Sequence, residues 1–225
     1  MVLISHKYKF IYIKNVKTAS STVENFFAKY CCPEGTEILC KNTPLKHELN
    51  TEYGFVGGDS TRKKNNNDKL PGLLAQHTGS IILKKKFPEE FKEYYKFCVV
   101  RNPYQRIVSR FLWDKKINII SKDMNFKNYI KNESKNPINK MNDDWYHRIT
   151  LNGKLCCNFY INFDNLEKDI ELVCKKLNIT DYNIKELKHI NKTETYNYKD
   201  YFDIENQKIV SEHCYEEIKY FDYKI

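Results

Sequence analysis

The chain has 225 residues, 41% of them hydrophobic, which suits one compact domain across 1–225 and excludes a disulfide-stapled miniprotein. No apolar run reaches the roughly 18 residues of a membrane-spanning helix, and the apolar stretch at the start is too short for a secretory signal. A soluble, cytoplasmic protein is therefore expected, and its formal net charge of +9 favours anionic partners such as nucleotide phosphates, nucleic acid or anionic glycans. The abundance of Lys, Asn, Ile and Tyr also fits a compositional origin for part of that charge. The eight cysteines form no C-x-x-C pair, so no metal site is expected. Cys98 and Cys174 sit in apolar stretches and read as core thiols.

In chain order, residues 8–14 (YKFIYIK) are apolar on both faces and predict a strand buried in a sheet. A helix should follow over 21–30, with Val23, Phe26 and Phe27 inward. Residues 31–75 read as an irregular, partly mobile insert. A short helix is expected over 79–85 and a second buried strand over 97–101. Asn102 then suits a helix N-cap and Pro103 a first helical position, which predicts a helix over 103–116. Residues 155–163 read as a strand. Asp164-Asn-Leu-Glu167 resembles a capping box, after which Leu166, Ile170, Val173 and Leu177 share one helical face. Asp203 should cap a last helix carrying Ile204, Val210 and Ile218. Strands alternating with helices predict an α/β fold with a mostly parallel sheet flanked by helices.

Two segments carry chemistry. Lys17-Thr18-Ala19-Ser20-Ser21-Thr22 lies between a strand and a helix, where backbone N–H groups and the helix dipole favour an anion. Lys17 adds a cation and the hydroxyls add donors. The loop is not a Walker A sequence, because it has no glycine. A solvated helix start rich in good capping residues is the bland alternative. In the second segment, 97–111, Arg101 leaves the end of a buried strand and a helix starts at once, with Ser109 two turns in. Strand ends in open α/β sheets are where ligands bind, and an arginine fork suits a phosphate. The alternative pairs Arg101 with a carboxylate and turns Ser109 to solvent.

Together these segments resemble the carbohydrate-type sulfotransferases, including the heparan-sulfate type. The loop is similar to that family's 5′-phosphosulfate loop, roughly P-K-T-A/G-G/S-T/S. Val100-Arg-Asn-Pro-Tyr-Gln-Arg-Ile-Val-Ser109 is similar to its 3′-phosphate motif, V-R-N-P-x-x-R-x-x-S. Asn15-Val16 stands where the family often has proline before the lysine, and Ser20 and Ser21 replace a common Gly-Thr or Gly-Ser. The resemblance implies a P-loop-NTPase-like fold and the donor 3′-phosphoadenosine-5′-phosphosulfate (PAPS), with adenosine 3′,5′-bisphosphate (PAP) as product. It implies that Lys17 contacts the phosphosulfate and that Thr18 to Thr22 cradle the 5′-phosphate. Arg101 and Ser109 would hold the 3′-phosphate, and Asn191, Lys192 and Thr193 would close over the nucleotide.

The acceptor is expected to be a hydroxyl, of a glycan rather than a small molecule. His77, placed between the two donor motifs, is the expected general base, since an imidazole titrates near neutral pH. Asp59 and Glu24 are fallback carboxylates. Arg62 and Lys63 would draw in an anionic acceptor, and Trp113 would stack on a sugar ring or pack inside the protein. No metal is expected in the transfer, and no nucleic-acid partner. Two other readings stay open at this point: a non-catalytic basic protein that binds nucleic acid or heparin, and a degenerate homologue that binds donor without turnover.

Overall fold

The structure, a computed structural model, describes residues 2–36, 49–57, 78–135, 148–187 and 196–225. Chain contacts group into two compact units, Met1–Val100 with His147–Asn191, and Arg101–Tyr146 with Lys192–Ile225.

The first unit is built on a six-stranded sheet. Its strands are β1 (Leu3–Ser5), β2 (Phe10–Ile13), β3 (Leu49–Thr51), β4 (Gly54–Val56), β5 (Tyr95–Val100) and β8 (Phe159–Asn162), in the order β3-β4-β1-β2-β5-β8. A separate hairpin pairs β6 (Thr150–Leu151) with β7 (Lys154–Leu155). The sheet is mixed, not mostly parallel. Only β2–β5 and β5–β8 run parallel, whereas β1–β2, β1–β4 and β3–β4 are antiparallel. The reason is connection length: β1 returns into β2, and β3 into β4, through turns too short for a crossover helix. The hairpin β3–β4 lies within the segment 31–75, of which residues 31–36 and 49–57 are described. Gly54 at φ 152° fits beneath β1, where a Cβ would collide with the Ile4 carbonyl.

The helices of this unit are α1 (Ser20–Ala28), α2 (Ser80–Lys86), α3 (Pro88–Glu93) and α6 (Leu166–Lys176). Val23, Phe26 and Phe27 of α1 join Phe10, Tyr12 and Phe97 of the sheet in one core, with the Phe27 and Phe97 rings 4.9 Å apart. Leu166, Ile170, Val173 and Leu177 are buried, as the period of 3.6 requires. The capping box at 164–167 does not form: Asn162 caps a 3-10 turn, Phe163–Asn165, and α6 starts without a side-chain cap. Cys98 and Cys174 are fully buried.

The second unit is helical: α4 (Pro103–Lys116), α5 (Phe126–Lys135), α7 (Ile204–His213) and α8 (Tyr215–Phe221). Tyr104, Ile107, Val108 and Phe111 of α4 bury against Phe126, Tyr129 and Ile130 of α5 and Val210 of α7. Asp203 does cap α7, in a reciprocal box with Asn206. Ile204 is 89% exposed, because it is the first residue past that cap and points away from the Val210 face. No helix among the described residues is long and apolar enough to cross a membrane.

Candidate active site

β2 ends at Ile13, and the chain then passes through Lys14 and Asn15, both buried, into the loop that opens α1. Lys17 and Ala19 both adopt left-handed backbone, at φ 59° and 57°. For residues with a Cβ this costs about 1–2 kcal/mol each, so the surroundings must enforce it. They do so through named bonds. The Ser20 hydroxyl donates to the Asn15 carbonyl at 2.6 Å, and the Asn15 amide donates to the Val99 carbonyl of β5 at 2.8 Å. The Tyr12 hydroxyl donates to the Ser20 carbonyl at 2.9 Å. Lys14 Nζ meets Glu24 Oε2 at 2.6 Å in the interior. Burial first, and then the Glu24 charge, push the Tyr12 hydroxyl well above its ordinary pKa, so it stays a neutral donor.

Ala19 offers no side-chain cap, and the first turn of α1 carries no acidic residue. The helix thus supplies no carboxylate of its own to the positive end of its dipole. Thr18 is fully buried, and its hydroxyl has no hydrogen-bond partner among the described residues. A buried hydroxyl without a partner costs about 1–3 kcal/mol, which an acceptor oxygen would recover. Thr22 is buried; Lys17, Ala19 and Ser21 are half-buried. The donor set (backbone N–H groups, hydroxyls and one lysine) fits a phosphosulfate.

The second segment is built differently. Arg101 follows the last residue of β5 and is half-buried. Its Nε donates to the Gln105 side-chain oxygen at 3.3 Å, and Nη2 to the Tyr196 hydroxyl at 3.5 Å. Asn102 caps α4 by accepting from the Tyr104 N–H, and its own amide donates to the Lys224 carbonyl at 2.7 Å. Ser109 is 4% exposed, so it does not turn to solvent. Arg106, the second arginine of the motif, forks onto Glu217 at 2.6 and 2.7 Å, with both residues buried. It is therefore a structural residue. Trp113 is half-buried on α4.

Arg62, Lys63, His77, Asn191, Lys192 and Thr193 lie outside the described residues. So does Asp59, whereas Glu24 is engaged with Lys14 rather than exposed as a base. Sequence reasoning missed the parts that support the loop: Tyr12, Lys14, Asn15 and Glu24. One signal was available. Ser20, Val23, Glu24 and Phe27 share a helical face, so a carboxylate on that apolar stripe demanded a buried cation.

The first unit is thus a mixed α/β sheet whose strand β2 leads through a left-handed turn into α1. The model of the Sulfotransferase family matches residues 1–224, and the chain belongs to that family. It is also 32% identical over 89 residues to an uncharacterized protein of Archaeoglobus fulgidus, an overlap of 40% of this chain and 72% of that protein. No solved structure matches the chain.

Proposed function

We propose that the chain moves a sulfuryl group from PAPS to a hydroxyl of a glycan acceptor, releasing PAP. The observation that carries this reading is the Lys17 loop: two left-handed residues with side chains, an uncapped helix start, and a buried hydroxyl awaiting an acceptor. Strain of this kind persists where function needs the conformation. Arg101 and the buried Ser109 support a 3′-phosphate site, the feature that separates this donor from ATP.

In this reading the donor supplies the sulfuryl group, and the sulfur–oxygen bond to the 5′-phosphate breaks as the bond to the acceptor oxygen forms. Lys17 and the α1 N–H groups neutralise the charge that gathers on the bridging oxygen. Arg101 orients the nucleotide, so that the reacting atoms meet in line. His77 takes the acceptor proton, a role that rests on its position in the sequence. His77→Ala is expected to lose turnover and keep donor binding.

The deciding experiment is a thermal melt with PAP, using 5′-AMP and ATP–Mg²⁺ as controls. Ligand at about 100 times its dissociation constant adds roughly 2.7 kcal/mol. For a chain of this size that raises the midpoint by about 5–10 °C. The expected result is a shift confined to the bisphosphate. An equal shift with every nucleotide, or none, overturns the reading in favour of a general polyanion binder.

A further inference from the structure

We infer that the buried Lys14–Glu24 ion pair is a positioning device: it holds the Lys17 loop in its anion-binding shape without touching the donor. The inference deepens the sulfuryl-transfer reading and rests on it. Lys14 is the first residue past β2, and Glu24 lies one turn into α1. Their 2.6 Å contact, with each side chain 4% exposed, therefore brackets the whole loop from outside. The Ser20–Asn15 and Tyr12–Ser20 bonds act within that bracket.

Stability alone does not account for the pair. Replacing a buried ion pair by apolar side chains of similar volume is often neutral or stabilising. Glu24 stands beside Val23 and Phe27 on the buried face of α1, where a leucine would fit the pattern. What an ion pair supplies and a leucine does not is direction. The aromatic contacts of Phe27 with Phe10 and Phe97 of the sheet tolerate a small slide or rotation of α1, whereas a short N–O contact does not. Two left-handed residues without glycine need that over-determination, since each relaxes to ordinary backbone once α1 can shift.

Charge gives the pair a second part. A lone carboxylate on α1 would oppose an anion at the head of the same helix, and Lys14 cancels it on the spot. Lys14→Met alone would therefore mix a lost geometry with an exposed negative field. The double variant Lys14→Met/Glu24→Leu removes both charges together and isolates geometry.

Three measurements on the double variant decide the matter: melting temperature, amide hydrogen exchange over residues 15–23 without ligand, and affinity for PAP. The expected result is a chain that folds with its midpoint unchanged or raised. Exchange in the loop should quicken and PAP affinity fall, each about tenfold or more, with β5 exchange unchanged. Glu24→Asp keeps both charges and shortens the reach by one methylene; it should move both readouts the same way, and it serves if the double variant fails to fold. Unchanged exchange overturns the clamp. Faster exchange with unchanged affinity overturns the positioning role. A wild-type chain that ignores PAP brings down the donor-site reading and this inference together, whereas tight PAP binding by wild type and variant alike brings down the inference alone.

Discussion

The two strand-to-helix junctions that follow β2 and β5, both proposed as phosphate sites, are built by opposite means. The first works through backbone. Lys17 and Ala19 are bent into left-handed conformations, and the helix start carries no cap of its own. The second works through side chains on relaxed backbone: Asn102 caps α4, Pro103 supplies the fixed φ of a first helical residue, and Arg101 extends from it. A backbone cradle is only as good as its conformation, so it needs buried support on both sides. A guanidinium brings its own donors and needs only a firm base. Support in the first junction is accordingly a web around the loop. In the second the shortest support is a fork, Arg106 on Glu217, one turn into the helix.

The largest effect should come from breaking that fork. Arg106→Met takes the guanidinium away from Glu217, a carboxylate only 2% exposed. Removing one partner of such a pair costs about 3–5 kcal/mol. The expected outcome is a fall in melting midpoint of about 6–20 °C. Donor affinity measured on the folded fraction at low temperature should change little, because Arg106 holds the helix and not the phosphate. A variant with the wild-type midpoint would contradict the assignment.

Next in size are the two candidate ligand-contacting cations, and they should differ in kind. Lys17→Ala is expected to lower kcat by about 10²–10³-fold while PAP affinity falls less, since the lysine acts on charge that develops during transfer. Arg101→Ala should act mainly on donor KM and on PAP affinity. Both variants should keep the wild-type midpoint without ligand. Wild-type turnover in both would remove these residues from the site, and a common kinetic signature would erase the contrast between the two junctions.

How much of this was legible in the sequence follows the same division. At the second junction the helix was readable to the residue, since Asn102-Pro103 marks the start of α4, whereas the strand expected over 97–101 runs over Tyr95–Val100. The first was readable in residue types and not in shape, because left-handed backbone is signalled by glycine, and Lys17 and Ala19 are not glycine. Pairings distant in sequence were invisible: Arg106 and Glu217 are 111 positions apart. Strands β1, β3 and β4 span three residues each, too few for alternation to register. Helix α5 buries only Phe126, Tyr129 and Ile130 among lysine, asparagine, glutamate and serine, and so reads as loop.

Smaller effects probe the strained loop directly. Thr18→Val replaces a buried hydroxyl that has no partner among the described residues with a methyl of the same shape. Without ligand the variant should be as stable as wild type or more so, by up to about 1 kcal/mol, because the desolvated hydroxyl no longer goes unmet. PAP affinity should fall at the same time. Opposite signs in the two measurements identify a group kept for a ligand. A loss of stability without ligand would mean that the hydroxyl already has a partner in the folded chain. Ala19→Gly tests the backbone side: glycine adopts φ 57° freely, which offsets its greater freedom in the unfolded chain. The folded protein should tolerate the change, while Ala19→Val should lower stability and PAP affinity together.

The smallest effect uses α7 as a control for α1. The start of α7 is closed: Asp203 caps it, Glu205 stands in its first turn, and Lys127 bonds to both. The Asn206 N–H, foremost, and Lys127 hold the Asp203 carboxyl below its ordinary 3.8. Lys127 and Lys131 hold Glu205 below 4.5. A depressed carboxyl contributes its full stabilisation above its unfolded-state value and loses it as pH falls through the folded-state value. Amide exchange at Asn206 and Gln207 should therefore quicken, relative to the intrinsic rate, as pH is taken below about 4. Asp203→Asn keeps a capping oxygen and should remove the Asp203 part of that pH dependence. The first turn of α1, with no carboxylate to titrate, should show no such step. An acid-sensitive α1 start with an insensitive α7 would reverse the contrast between a helix end that carries its own anion and one left open to receive it.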